Sequence, residues 1–168
     1  KSQGEYDLLL GSLALSAAKD RDSLLKARAL LERALQEKPD LINAYFGLAS
    51  VDGALGNLEA SAKNYERLLE KNPNNVPTQM MLALTRERQG KFDEAAAAYR
   101  KILTIAPQFG PAANNLAWLL VEETKGNLDE ALRLAELAKG QLPKEASVTD
   151  TLAWVHFKRG SARAALPI

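Results

Sequence analysis

The 168-residue sequence contains no cysteine and a single histidine, His156. Disulfides, thiolate chemistry and cysteine-based zinc sites are therefore excluded, and a histidine-rich metal site cannot be built. The 22 Lys and Arg residues are nearly balanced by 21 Asp and Glu residues. This balance argues against a nucleic-acid partner, because such proteins usually carry a basic excess. No apolar run reaches about 18 residues, so the sequence predicts no membrane-spanning helix.

The sequence does contain an internal repeat with a period of about 34 residues. Three series of residues recur with spacings of 34 or 36: Pro39, Pro73, Pro107 and Pro143; Gly56, Gly90, Gly126 and Gly160; Ala49, Ala83, Ala117 and Ala153. In each series the longer spacing falls in the same unit. Sequence comparison places the insertion just before Gly126, in a turn.

Each unit is predicted to form two helices. Apolar residues recur at three- and four-residue steps in both halves of a unit, as amphipathic helices require, and no segment shows the alternation of a strand. In one unit, Gly56 is predicted to end the first helix and Pro73 the second. The small residues Ala49 and Ser61 allow the two helices to approach closely. One pair cannot bury enough surface alone, so neighbouring pairs must stack.

The motif Tyr45-x2-Leu48-Ala49, followed by Ser61-x3-Tyr65 and Pro73, resembles the tetratricopeptide repeat. The resemblance covers essentially the whole chain. It implies an all-α fold, an alpha-alpha superhelix of about four and a half helix-turn-helix repeats in a single array over residues 1–168. The repeats are approximately 7–41, 42–75, 76–109, 110–145 and a partial 146–168. The first is weaker, since it lacks the turn glycine and either Ala14 or Leu15 could occupy its small site. We expect the sequence to be a piece of a longer protein.

The resemblance also implies that the first helices line a concave face that binds a peptide or protein partner. The residues predicted to line this groove are Asn43, Phe46, Ser50, Met80, Leu84, Glu87, Asn114, Trp118, Asp150, Trp154 and Phe157. Trp118 and Trp154 occupy equivalent sites in successive repeats. Two interpretations of this pair stay open: an aromatic ladder for a ligand, or packing between neighbouring repeats. We expect Asn114 and Asp150 to hold a peptide backbone by hydrogen bonds.

Four smaller predictions concern charged and polar residues. The Lys, Asn and Arg pattern of a clamp for acidic chaperone tails is missing from the first helices. His156 is expected in core or inter-repeat packing, because no nucleophile accompanies it. Asp52 and Arg86 occupy equivalent sites in adjacent repeats, so we hypothesise an ion pair between them. The pairs 122–123 and 158–159 are interpreted as solvated faces.

The sequence therefore favours a non-catalytic protein-interaction scaffold with no cofactor and no metal. Two alternatives stay open: the repeat arm of a larger enzyme such as a glycosyltransferase, and a structural spacer that self-associates through open repeat ends. The sequence around Trp118 and Trp154 also resembles bacterial repeat proteins of envelope or exopolysaccharide systems. That weaker resemblance leaves the bacterial periplasm or envelope and the cytoplasm as expected locations.

Overall fold

The structure, a computed structural model, describes residues 2–123 and 127–161. Over these two ranges the chain forms nine α-helices and no strand. They are α1 (Gln3–Ala17), α2 (Arg21–Glu37), α3 (Ile42–Leu55), α4 (Leu58–Lys71), α5 (Val76–Arg88), α6 (Phe92–Ile105), α7 (Gly110–Glu122), α8 (Leu128–Gln141) and α9 (Ala146–Lys158). The all-α prediction is confirmed. Gly126, Ala165 and the predicted last second helix lie outside the described residues.

The helices alternate between two roles. We call α1, α3, α5, α7 and α9 the first helices, and α2, α4, α6 and α8 the second helices. They belong to two compact units, Lys1–Gln89 with α1 to α5 and Gly90–Ile168 with α6 to α9. In both units a second helix packs against first helices, for example α2 against α1 and α3, and α8 against α7 and α9. This is the stacking that the repeat requires, because no hairpin buries enough apolar surface by itself.

The turn glycines adopt the backbone that their positions demand. Gly56, Gly90 and Gly160 have φ angles of 86°, 72° and 76°. This left-handed region strongly favours glycine, because a Cβ atom would clash with the neighbouring backbone. The prediction that glycine ends the first helices is confirmed at these three positions.

The core of the first unit is built around two side chains from second helices. Leu31 of α2 is fully buried, and Ala44, Leu48 and Val51 of α3 belong to the same apolar cluster. Tyr65 of α4 is likewise fully buried, in a cluster with residues of α3 and α5. In the second unit, Ala113 of α7, Ala138 of α8 and Val148 of α9 share a cluster. Each core thus joins one second helix to two first helices.

The first hairpin differs in register from the second. Neither Ala14 nor Leu15 is buried; the buried small residue is Gly11, where an added Cβ would lie 2.8 Å from Cγ of Leu31. The prediction that Ala14 or Leu15 holds the small site is therefore wrong. The Leu10-Gly11 pair corresponds to Leu48-Ala49 of α3. The spacing between these two pairs is longer than the repeat period by about one helical turn.

The cause of this shift is the length of α2, which has 17 residues where α4 has 14. The extra turn at its start moves α1 by about one helical turn relative to α2. A second pair of contacts supports this register. Arg33 bonds Asp7 with an Nη2 to Oδ1 distance of 2.8 Å. Arg67, one repeat period after Arg33, lies over the ring of Tyr45, which is the residue equivalent to Asp7 in the shifted register.

The hypothesised ion pair between Asp52 and Arg86 is wrong. Asp52 is buried and accepts a hydrogen bond from Nε of Arg28 at 2.9 Å. Arg86 instead pairs with Glu59 and Glu66 of α4. Equivalent positions in adjacent repeats need not contact each other, because each side chain bonds the second helix that precedes its own first helix, α2 for Asp52 and α4 for Arg86. The hydrogen bond that Arg28 donates to the Asp52 carboxylate raises the pKa of the Arg28 guanidinium.

Candidate functional site

The exposed aromatic side chains of the first helices form the candidate site, and each unit contributes its own part. Phe46 of α3, Trp118 of α7, and Trp154 and Phe157 of α9 are all exposed. Met80, Leu84 and Glu87 of α5 and Ser50 of α3 are half-buried, while Asn43 and Asp150 are exposed. A first helix can present such residues because its other side already packs on second helices.

In the first unit, Asn43 and Phe46 line a cleft of about 480 Å³ between α3, α4 and α5. Phe46 packs edge-to-face on Tyr65 with a centroid distance of 5.6 Å. Ser50 donates to the carbonyl oxygen of Phe46 at 2.9 Å, and its hydroxyl lies 3.3 Å from that of Tyr65. The Phe46 ring is therefore held in place with one side open. Of the other predicted residues of this unit, Ser50, Met80, Leu84 and Glu87 do not line this cleft.

In the second unit, the side chain of Trp154 makes contacts with three neighbouring side chains. Its indole Nε1 donates to Oε1 of Glu122 at 2.5 Å, which joins α9 to α7. Its ring stacks on Phe157 with centroids 5.2 Å apart, and Nζ of Lys158 lies 4.7 Å from its centroid. Lys158 also bonds Glu122, with 3.1 Å between Nζ and Oε1. These three contacts restrict the orientation of the ring.

Glu122 bonds both Trp154 and Lys158. The hydrogen bond from Trp154 and the neighbouring Lys158 ammonium lower the pKa of Glu122. Trp118 lies four residues before Glu122 on α7, so the two side chains share one face of the helix. Glu122 thus bonds one tryptophan and lies one helical turn from the other. The interpretation of residues 122 and 158 as merely solvated missed this contact, and only their opposite charges at equivalent positions of neighbouring repeats could have indicated it.

The two predicted polar residues of this unit have different surroundings. Asn114 donates weakly to Asn115 across 3.4 Å, and Asn115 donates to the hydroxyl of Tyr99 at 3.1 Å. Oδ1 of Asn114 is buried without a hydrogen-bond partner. Asp150 is exposed. The side chain of His156 is half-buried, and its Nδ1 also has no hydrogen-bond partner.

Among residues 2–123 and 127–161, no group of three His, Asp or Glu side chains lies close enough together to hold a metal ion. Over the same described ranges, no helix combines the length and apolar character needed to cross a bilayer.

Solved structures of similar fold include MamA proteins. The structure of MamA, residue 41 to the end, from Desulfovibrio magneticus RS-1 has a TM-score of 0.85 at 14% identity, covering 98% of this chain and 90% of that chain. MamA of MSR-1 has a TM-score of 0.77 at 22% identity, with coverage of 98% and 91%. At these identities the likeness establishes the fold.

A curated relative is the Protein CTR9 homolog of Arabidopsis thaliana. It is 29% identical over 129 residues, which are 76% of this chain and 12% of that protein. The chain thus spans only a small part of this relative's length. The finer resemblance to envelope and exopolysaccharide proteins is not supported by these comparisons.

Family models give the most direct assignment. Two models, both described as Tetratricopeptide repeat, match residues 46–108 and 87–155. The matched ranges overlap and include the helices from α4 to α8, and the structure shows the same helical hairpins before them. The chain is built of tetratricopeptide repeats.

Proposed function

We propose that this chain is a non-catalytic protein-interaction scaffold whose first helices bind a peptide or protein partner. The observation that carries the proposal is the exposure of Trp118 and Trp154, whose accessible fractions are 41% and 39%. Tryptophan is enriched among the residues that contribute most to binding energy at protein interfaces. The tetratricopeptide architecture supports the same class of function.

The surroundings of Trp154 support a ligand role over a purely structural one. A tryptophan that served only for packing between α7 and α9 would bury its ring between them. Trp154 instead uses its N–H group for Glu122 and keeps part of its ring accessible. The bound partner would add a further apolar or aromatic side chain against this surface. Oδ1 of Asn114, four residues before Trp118, is buried and has no hydrogen-bond partner, and we expect it to accept a backbone N–H of the peptide.

The experiment is a peptide selection by display on the wild-type protein, followed by affinity measurement on variants. We expect selected peptides to carry aromatic or branched apolar residues, and to lose at least tenfold in affinity with Trp118→Ala. The matched control is Tyr6→Ala, which removes an exposed aromatic residue from α1. Circular dichroism should show native helicity for both variants, because both residues are exposed.

Two results would contradict the proposal. One is a set of peptides whose affinity is unchanged by Trp118→Ala and Trp154→Ala. The other is a loss of helicity or a large fall in the unfolding midpoint with Trp118→Ala, which would identify the residue as part of the core.

A further inference from the structure

The two tryptophans of the second unit differ in their charged neighbours. The ammonium of Lys158 lies over the ring of Trp154, with 4.7 Å between Nζ and the ring centroid, and it also bonds Glu122. On α7 the residue equivalent to Lys158 is Glu122 itself, so α7 supplies no cation at this position. Among residues 2–123 and 127–161, no basic side chain lies over the ring of Trp118. Within the described chain, the exposed ring of Trp118 thus lacks the cation that Trp154 has.

The register of α7 and α9 sets which acid lies at the level of Trp118. Both are first helices with one second helix between them, so they run in the same direction. The bond from Trp154 to Glu122 fixes which turns of the two helices are neighbours. One turn earlier on each helix, the corresponding residues are Asp150 on α9 and Trp118 on α7. Trp118 therefore has a carboxylate at its own level on the neighbouring first helix.

The two helices remain close over the turn that carries Asp150. Ala113 of α7 and Val148 of α9 belong to one apolar cluster with Ala138 of α8. Asn114 follows Ala113 directly, and Asp150 follows Val148 by two residues. The side chain of Asp150 is exposed, and it makes no ion pair with any residue in the described ranges. This end of the site thus offers a carboxylate without a basic partner in the described part of the chain.

We propose that Trp118 and Asp150 together bind a basic side chain, arginine or lysine, of the partner peptide. The inference rests on the proposed function and names the chemistry of the partner at one position. The indole face attracts the cation and the carboxylate pairs with it. Lys158 makes the same two kinds of contact, with Trp154 and Glu122. Arginine suits the site particularly well, because its planar guanidinium can stack on an indole while it donates to a carboxylate.

The expected contact between Asn114 and the peptide backbone is compatible with this arrangement. Oδ1 of Asn114 is buried without a hydrogen-bond partner, and the residue lies one turn before Trp118 on α7. One helical turn is about 5.4 Å, a distance that an extended arginine or lysine side chain can span. A peptide can therefore place its basic group over Trp118 while a backbone N–H beside the same residue donates to Asn114.

The test uses N-acetyl-arginine N-methylamide as the probe, which carries the basic side chain with an amide group on either side. Its neutral counterpart is N-acetyl-citrulline N-methylamide, which has nearly the same shape without the charge. Each compound is titrated into 15N-labelled protein, and the indole N–H signals of Trp118 and Trp154 are followed by NMR. We expect the arginine compound to shift the Trp118 signal and to bind about fivefold more tightly than the citrulline compound.

Variants assign the preference for arginine to the two proposed residues. Asp150→Asn should remove most of the preference, whereas Glu136→Gln, at an exposed acid of α8, is the matched control and should leave it unchanged. Trp118→Leu keeps an apolar side chain but removes the aromatic face. With the amide signal of Asp150 as the readout, it should weaken binding of the arginine compound about two- to fivefold. Circular dichroism should show native helicity for all three variants, because the replaced residues are exposed.

Three results would overturn the inference. The first is equal affinity of the wild-type protein for the two compounds, or no binding of either. The second is a preference for arginine that Asp150→Asn leaves intact. The third concerns Lys125 and Arg163, two basic residues of this unit that lie outside the described residues. A preference that appears only in Lys125→Met or Arg163→Met would identify a cation of this chain as the occupant.

The displayed peptides separate failure of this inference from failure of the proposed function. Selected peptides that lose affinity with Trp118→Ala but carry no arginine or lysine would support the proposed function and overturn the inference. Selected peptides that carry a basic residue and bind more weakly to Asp150→Asn would support both. Peptides whose affinity is unchanged by Trp118→Ala and Trp154→Ala would contradict the proposed function, whatever the two small compounds do.

Discussion

The first and second hairpins occupy equivalent positions with different chemistry. Where the second hairpin buries the aromatic ring of Tyr65, the first buries the smaller Leu31 between Gly11 and Gly47. Where Arg67 lies over Tyr45 in the second hairpin, Arg33 makes a hydrogen-bonded ion pair with Asp7 in the first. The comparison shows that equivalent positions form the helix–helix contacts in both hairpins. The side chains at those places differ, and they fit one another within each hairpin.

The comparison extends to the outward faces. On the side of α3 that meets the preceding hairpin all four residues are buried: Ala44, Gly47, Leu48 and Val51. The equivalent side of α1 carries Tyr6, Leu9, Leu10 and Leu13, of which Tyr6, Leu9 and Leu13 are exposed. A helix therefore keeps an apolar stripe at this position whether or not the structure covers it.

The largest effect is expected from Leu31→Ala. Leu31 is fully buried and fills the space that Gly11 and Gly47 leave open, so its removal should lower the free energy of unfolding by about 2–5 kcal/mol. Urea denaturation measures the change. Leu25→Ala on the same helix is the control, and at that exposed position the change should stay within about 0.5 kcal/mol. Equal losses from both variants would contradict the assignment of Leu31 as the centre of the first core.

A smaller effect is expected from Gly47→Ala. The added methyl group would lie too close to the Leu31 side chain, which is held between Gly11 and Gly47. Overpacking of this kind lowers the free energy of unfolding by about 1–3 kcal/mol. Better helix propensity offsets about 1 kcal/mol of that cost. In a Leu31→Ala background the space is free, so the same substitution should become stabilising. A double-mutant cycle in urea measures this reversal of sign.

The control for this cycle is Gly140→Ala in α8, where no atom lies within 4 Å of the added Cβ. It should stabilise the protein by up to about 1 kcal/mol in either background. Additive effects of Gly47→Ala and Leu31→Ala would show that the close contact between them is not what sets the spacing of α2 and α3.

The smallest effect concerns the Glu5–Lys38 pair, whose equivalents in the second hairpin are Asn43 and Asn72. The hydrogen bond from Lys38 lowers the pKa of Glu5 below its ordinary value of 4.5, and Glu5 raises that of Lys38 above 10.5. The Glu5 contribution to stability is therefore present above pH 4.5 and is lost as the pH falls through the lowered pKa. The Lys38 contribution is present below pH 10.5 and is lost as the pH rises through the raised pKa.

NMR titration of the Glu5 carboxyl carbon should show a midpoint below 4.5 that returns toward this value in Lys38→Met. Lys26→Met, at an exposed lysine of α2, should leave the midpoint unchanged. A Glu5 midpoint that does not respond to Lys38→Met would contradict the pairing of α1 with the end of α2.

Much of the fold and part of the candidate site could be predicted from periodicity. Glycines and prolines recur where the chain leaves a helix, because a left-handed backbone favours glycine and proline cannot continue a helix. The helix ends at Gly56 and Gly90 could therefore be predicted. The register of α1 could not be predicted in this way, because the longer α2 moves the small site to Gly11. The sequence signal for this register was the Leu10-Gly11 pair. The ion-pair partners of Asp52 and Arg86 could not be predicted either. Equivalence in the repeat gives only the separation of two residues along the chain and does not show whether their side chains touch.

The sequence by itself determined that this protein is an all-α array of helical hairpins, because a regular recurrence of small residues, glycines and prolines at this spacing permits little else. It also determined which aromatic residues lie on the first helices. Only the tertiary structure decided that Trp154 bonds Glu122, that Leu31 lies between two glycines, and that the apolar stripe of α1 is exposed. The physical reason is that these contacts depend on which helices pack together, and each helix's own sequence describes only the face that it offers.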